Sequence, residues 1–370
     1  MAEDARTPVV VVTGFLGGGK TTLLNRALKS PVLATAAVVI NEFGTVPIDH
    51  LLSEASDDQI VVLENGCLCC TVFGDLLATL GRLYHAREAG TVPCFDRVII
   101  ETSGLADPTP IVQAFLSDPT LDGLYRLEAV LTVFDAINGP ATLDRHDQAV
   151  HQLALADRVL LTKLDLLPAA EAGREERRLR ALIARVNPAA QVHAAQAADL
   201  DPVQLLVKPG YSLRRGGADV LAWLDAESYR TRLEPNAHAA HVHGEQDHVG
   251  HAHAGPKISS FCFVREAAGS RYGLELMLGA IEQNLGPALL RLKGLVHVKE
   301  APETPAVIQG AQHLLHNLTW LPAWPSEDRS TRIVFITSGI ERAELEEMVE
   351  LMDRVAQRSA CARELAEAGA

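Results

Sequence analysis

Between residues 14 and 21 the chain reads GFLGGGKT, which fits the pattern G-x-x-x-x-G-K-[ST] with Gly14, Gly19, Lys20 and Thr21. This loop does phosphate chemistry. Its glycines let successive backbone N–H groups turn toward a phosphate chain, the lysine reaches the β and γ oxygens, and the hydroxyl ligates Mg²⁺. Gly17, Gly18 and Thr22 complete the cradle. A second stretch, VIIETSGLADP, ends an apolar run on Glu101 and places Gly104 three residues later. An acid there can hold Mg²⁺ through a water, and a glycine can offer its N–H to a γ-phosphate. Lys20, Thr21, Glu101 and Gly104 are the candidate catalytic set, with water as nucleophile and no covalent intermediate. A third stretch, LLTKLDLL, sets Asp165 to accept from both N1–H and the 2-amino group of guanine. Lys163 can stack its stem along the base, and Thr162 precedes it. A site built to satisfy those donors rejects adenine, which would leave buried polar groups unpaired. GTP is therefore expected in preference to ATP.

LENGCLCCTV places Cys67, Cys69 and Cys70 within four residues, half of the chain's six cysteines. A closed structural zinc site takes four ligands, whereas three thiols with an open position suit a metal that is handed on. Soft thiolates favour Zn²⁺ or Cu⁺ over Mg²⁺ and Ca²⁺, with Co²⁺ as a further alternative. Redox thiols and buried packing thiols are the competing readings, although C-x-C-C is not the spaced C-x-x-C pair. Glu42, in INEFGTVPIDH, can add an oxygen ligand. Six of the 14 histidines fall in HAAHVHGEQDHVGHAH, where His241 with His243 and His251 with His253 have H-x-H spacing. On a flexible chain such imidazoles bind Zn²⁺, Co²⁺ or Ni²⁺ weakly and reversibly; a solvated linker is the alternative. Cys94, Cys262 and Cys361 are isolated and read as packing residues, His50, His313 and His316 as structural or surface groups, and the Arg/Glu-rich stretch 174–180 as a solvated helix face.

These residues need a scaffold that brings several loops to one edge. Apolar runs at 8–13, 36–41, 59–64, 95–101, 127–135 and 156–163 alternate with helical patterns, such as Leu179, Leu182, Ile183 and Val186. Continuous apolar strands of this kind make a parallel sheet covered on both faces, and its ligands bind at the carboxyl ends of the strands. The strand at 156–163 reads as the last before a linker. Beyond it, ISSFCFVRE (258–266), GLVHVKE (294–300), AVIQGAQHLLH (306–316) and RIVFITS (332–338) read as strands, with helices near 273–290 and 341–366. The expected fold is α/β, a P-loop NTPase domain over 1–210 with a mainly parallel sheet, a His-rich linker over 211–257, and a smaller α+β domain over 258–370. The net charge of -14 argues against nucleic acid or an anionic membrane as partner. No run approaches the ~20 apolar residues of a membrane span, and the acidic start is unlike a signal peptide, so a cytoplasmic location is expected.

Taken in order, GFLGGGKTTLLN, INEFGTVPIDH, ENGCLCC, ETSGLADP and TKLD resemble the CobW-like metallochaperone GTPases, relatives of the HypB and UreG nickel-insertion GTPases. The likeness covers about 1–205 and continues more loosely into a CobW-type C-terminal domain, where LLRLKGLVHV and VIQGAQHLLH resemble family segments. The resemblance implies hydrolysis of GTP to GDP and phosphate, coupled to delivery of zinc or cobalt to a client apo-metalloprotein. It implies Lys20 and Thr21 on phosphate and Mg²⁺, Glu42 and Gly44 in the first switch, Glu101 and Gly104 in the second, Asp165 on guanine, and Cys67, Cys69 and Cys70 as the metal motif. One position departs: the commoner Asn of N-K-x-D is Thr162 here, a choice similar to that of the signal-recognition GTPases. A nucleotide-modulated metal buffer or sensor is the second functional reading, and a homodimer is compatible with either. The motifs contain no evident arginine finger or base, so slow intrinsic turnover is expected.

Overall fold

The computed structural model describes residues 6–43, 60–65, 71–197, 200–208, 258–312, 314–315 and 318–368. Its first half is built on β1 (Thr7–Thr13), β2 (Ala36–Phe43), β3 (Ile60–Asn65), β4 (Arg97–Thr102), β5 (Tyr125–Asp135), β6 (Arg158–Thr162) and β7 (Gln191–Ala194). These form one seven-stranded sheet in the order β3-β2-β4-β1-β5-β6-β7, with every pairing parallel. The continuous valines of β1 explain its central place. Val9 and Val11 pack into a core with α2 (Thr71–Glu88), α3 (Thr109–Ser117) and α4 (Pro119–Leu124), while Val10 and Val12 face α1 (Lys20–Ala27) and α8 (Pro202–Val207). Both faces are dry, so no strand needs a polar alternation. The short helices α5 (Gly139–Leu143) and α6 (Asp147–Ala154), and the longer α7 (Ala169–Val186), complete this half. β6 is not its last strand, because β7 pairs with it at the sheet edge.

The second half contains β8 (Ile258–Arg265), α9 (Arg271–Leu285), β9 (Leu289–Val296), β10 (Ala306–Ala311), β11 (Leu314–Leu315), β12 (Thr319–Trp320), β13 (Thr331–Ser338) and α10 (Arg342–Ala368). Its sheet is antiparallel, ordered β11-β10-β9-β13-β8, with β12 paired to β10. Two expectations are corrected here. The stretch 306–316 is not one strand: it turns at Gln312, whose φ is 53°, into a β10–β11 hairpin. The strand expected at 294–300 runs over Leu289–Val296, and α9 ends at Leu285, ahead of the expected 290.

One face of this second sheet is covered by α9 and α10 through Leu274, Met277, Ile281, Leu345 and Val349. Its other face shares a single buried core with the first half, where Cys262, Leu290, Leu295, Val334 and Ile336 meet Phe134, Leu153, Val159 and Leu161. The two halves are therefore packed as one body along this seam. Cys262 is a packing residue as expected, but Cys94 and Cys361 are exposed. The stretch 174–180 is a charged face of α7, with the pairs Arg178–Glu175 and Arg180–Glu176. No helix among the described residues is long and apolar enough to cross a membrane.

Candidate nucleotide site

The loop from Gly14 to Gly19 leaves the carboxyl end of β1 and enters α1 directly. Gly14 has a φ of 136°, and a Cβ on it would lie 2.2 Å from Val133 O, so no other residue fits against β5. Gly19 caps α1 in the left-handed region, at φ 103°, without a side-chain cap and without an acid in the first turn. The N–H groups of that turn, which the helix itself cannot pair, and the positive end of the helix therefore lie beside the loop, the arrangement of an anion-binding loop. Lys20 is buried and its Nζ donates to Gly14 O at 2.7 Å, which holds the ammonium inside the loop's curve.

Across from it, Glu101 is the last residue but one of β4, in register with Val12, and is 3% exposed. Thr21 Oγ1 donates to Glu101 Oε1 at 3.0 Å, so the two residues expected around Mg²⁺ meet. Gly104 lies against the phosphate loop: a Cβ there would come within 2.6 Å of Leu16 N. The base motif is anchored to the same loop, because Thr162 Oγ1 donates to Gly18 O at 2.7 Å and a Cβ on Gly19 would lie 3.7 Å from Thr162 Cγ2. Thr in place of Asn thus keeps a side-chain link from the base motif to the phosphate loop. Asp165 is exposed, in the short turn Leu164–Leu166 that follows.

Three features were not read from the sequence. Asp135, at the end of β5, pairs through Oδ2 with Lys163 Nζ at 2.6 Å and accepts through Oδ1 from the backbone N–H groups of Ile137 and Asn138. Burial pushes this carboxyl up, but the Lys163 bond and the Asn138 and Ile137 donors outweigh it and hold its pKa below the usual value. The signal that marked Glu101, an acid closing an apolar strand, also marks Asp135. The second feature is His151 Nδ1, which lies 2.6 Å from Asp107 Oδ2 and ties α6 to the loop after β4. The bond to Asp107 raises the His151 pKa; burial pushes Asp107 up, and its bonds to His151 and Thr109 bring it below normal. The third is Gln152, beside His151. Neither has a sequence signal beyond a polar pair in a short helix.

The candidate metal ligands Cys67, Cys69, Cys70, His241, His243, His251 and His253 lie outside the described residues, as do Gly44, His50, His313, His316 and the side chain of Glu42. Thr22 lies in the first turn of α1, and Gly17 adopts a φ of 69° in the loop. The sequence expectations of Lys20, Thr21, Glu101, Gly104, Thr162 and Lys163 are thus gathered on one edge of one sheet, with Asp165 at its rim.

Two family profiles match the chain: the CobW/HypB/UreG nucleotide-binding domain over residues 8–194 and the cobalamin synthesis protein cobW C-terminal domain over 258–352. The zinc chaperone YjiA of Escherichia coli K12 is 31% identical over 338 residues, covering 91% of this chain and 95% of that protein. The zinc chaperone CobW of Pseudomonas aeruginosa is 36% identical over 221 residues, covering 51% of this chain and 56% of its own length. Among solved structures, Zn(II)-bound YjiA GTPase from E. coli superposes with a TM-score of 0.61 at 25% identity, covering 94% of this chain and 99% of that one. The chain belongs to the CobW/HypB/UreG family and is a P-loop GTPase with a CobW-type C-terminal domain.

Proposed function

We propose that this GTPase is a metallochaperone: it binds a thiophilic transition metal, zinc first and cobalt as the alternative, at Cys67, Cys69 and Cys70, and passes it to a client apo-metalloprotein under control of GTP hydrolysis. Lys20 and the loop amides would hold the phosphates. Thr21 and Glu101 are hard oxygen donors that fit Mg²⁺, which neutralises charge on the β and γ phosphates. Asp165 would read guanine, with Thr162 and Lys163 supporting it.

The observation that carries the reading is one of connectivity. β3 ends at Asn65 and α2 begins at Thr71, so the C-x-C-C segment joins a strand to a helix on the carboxyl side of the sheet that carries the phosphate loop. That arrangement supports coupling between γ-phosphate and metal affinity. The names of the relatives, zinc chaperones and a zinc-regulated GTPase metalloprotein activator of Schizosaccharomyces pombe, support zinc as cargo. The test is steady-state hydrolysis of GTP and ATP by metal-stripped protein, with and without one equivalent of Zn²⁺, repeated with Cys67, Cys69 and Cys70 changed to Ser. GTP preference and a zinc effect that needs the cysteines are expected; a zinc effect identical in both proteins sinks the coupling.

The density of histidines in 238–253 favours a second reading, a nucleotide-modulated metal buffer or sensor. Metal transfer to an apo-client separates the two. Delivery predicts faster transfer with GTP than with a non-hydrolysable analogue, whereas buffering predicts equal rates.

A further inference from the structure

GTP hydrolysis as read from the motifs leaves Gln152 without a role. It sits in α6 between Val150 and Leu153, and only 1% of it is exposed. A buried amide is costly unless its polar atoms are met. Here Nε2 donates to Gly104 O at 3.2 Å and to Ala106 O at 3.0 Å, both in the loop that follows β4. The backbone carbonyl of Gln152 accepts from Thr132 Oγ1 at 2.6 Å, which fastens this turn of α6 to β5. With the His151–Asp107 pair, α6 bonds the loop at Gly104, Ala106 and Asp107.

Gly104 is thereby confined from two directions, by the Gln152 amide and by the backbone of Leu16. A glycine has more backbone states to lose than any other residue, so a loop that uses one as a donor needs something else to fix it. A donor aimed at developing charge is effective when it is preorganised and does not have to be ordered during the reaction.

We propose that Gln152 is a positioning residue of the GTPase: by holding the carbonyls of Gly104 and Ala106 it fixes the Gly104 N–H at the height of the γ-phosphate. The proposal rests on the reading of Gly104 as the γ-phosphate contact and is independent of the metal. It acts through Gly104 and does not touch nucleotide itself.

The test is Gln152→Met, which keeps length and bulk and removes both donors. With Mg²⁺ and GTP, kcat is expected to fall about 10- to 100-fold, the range for a misplaced but intact reacting group. Affinity for a non-hydrolysable GTP analogue should fall while affinity for GDP, which has no γ-phosphate, stays at the wild-type value. A merely structural role would lower the melting temperature and leave the ratio of those affinities unchanged; an unchanged kcat and ratio overturn the proposal. Should Gln152→Met not fold, His151→Ala loosens the more exposed end of the same clasp. It is expected to move the ratio in the same direction by less, and a wild-type ratio there overturns the proposal equally. The Gly104 amide itself distinguishes the two levels of failure. If its NMR signal in the wild-type protein is the same with the non-hydrolysable GTP analogue as with GDP, the reading of Gly104 falls and Gln152 with it; if it shifts while Gln152→Met is normal, only the role of Gln152 falls.

Discussion

Lys163 is a non-glycine residue held at φ 63°, a conformation that costs about 1–2 kcal/mol unless its surroundings enforce it. Asp135 does the enforcing, with one oxygen on the Lys163 ammonium and the other on the two N–H groups that start the next turn. The turn that carries Lys163 and Asp165 is thus set by a carboxylate on the neighbouring strand β5. Asp135→Asn keeps the shape and removes the charge, and the ion pair is partly shielded from water. A loss of about tenfold in GDP affinity is expected, corresponding to one charge-assisted bond. Discrimination against ADP should survive, because Asp165, the proposed reader of the base, is untouched. Titration with fluorescent GDP and ADP checks both; GDP affinity unchanged from wild type removes Asp135 from the base loop. At this scale the spacing of the motifs singled out Lys20, Thr21, Glu101, Gly104, Thr162 and Lys163, which the fold brings together at the carboxyl ends of β1, β4 and β6. Of their supports, Asp135 carried the same signal as Glu101, an acid closing an apolar strand, whereas His151 and Gln152 act through long-range contacts that no local pattern records.

At the scale of elements, six of the seven parallel strands were readable because each is a nearly continuous apolar run; the edge strand β7, QVHA, is short and partly exposed and was not. The helices that brace the loop after β4 were not. In DQAVHQLA of α6, a glutamine and a histidine point toward the loop and the sheet, which breaks the apolar stripe that marks a helix. β9 was misplaced for a related reason: LLRLKGLV is buried throughout, yet Arg291 and Lys293 interrupt its apolar signal. The α6 brace has a pH signature. A raised His151 pKa stabilises the fold fully below the unfolded value of 6.5 and loses that contribution as pH rises through the folded value. A lowered Asp107 pKa stabilises above the unfolded 3.8 and loses it as pH falls through the folded value. The pair therefore contributes most between about pH 4 and 6.5, by roughly 0.5–1 kcal/mol for a partly exposed contact. The difference in urea midpoint between the wild type and His151→Ala should be larger at pH 5.5 than at pH 8.5. Equal differences at the two values would rule out a charged pair.

Across the whole molecule, the helices α3 and α6 beside the loop after β4 rest on the C-terminal sheet. α3 reaches it through Gln113 Nε2, which donates to Ala311 O at 3.1 Å, and α6 lies over β9 in the shared core. The seam itself is closed by Asp157, whose Oδ1 accepts from Arg291 at 2.9 Å and from Lys293 Nζ at 2.7 Å, while Oδ2 accepts from Val130 N. All three charges are buried. Burial opposes the carboxylate, but the two cations outweigh it and bring its pKa to about 2, whereas burial and the neighbouring Arg291 push Lys293 down to about 8. One carboxylate thus serves two cations, and Lys293 is the member the site tolerates least. Because the folded pKa of Asp157 is depressed, its contribution is present above the unfolded value of 3.8 and lost as pH falls through about 2. Removing the acid strands two cations in the seam, so Asp157→Asn is expected to cost about 3–5 kcal/mol. Lys293→Met leaves Arg291 on the carboxylate and replaces an ammonium by an apolar chain of similar length, at a cost expected to stay under about 1.5 kcal/mol. Urea denaturation of both variants at pH 7, followed by tryptophan fluorescence and by circular dichroism, makes the comparison. Similar losses in the two would mean that the seam needs both cations equally, and that the apolar core around Phe134, Leu295 and Ile336, instead of the shared carboxylate, is what holds the C-terminal sheet against α3 and α6.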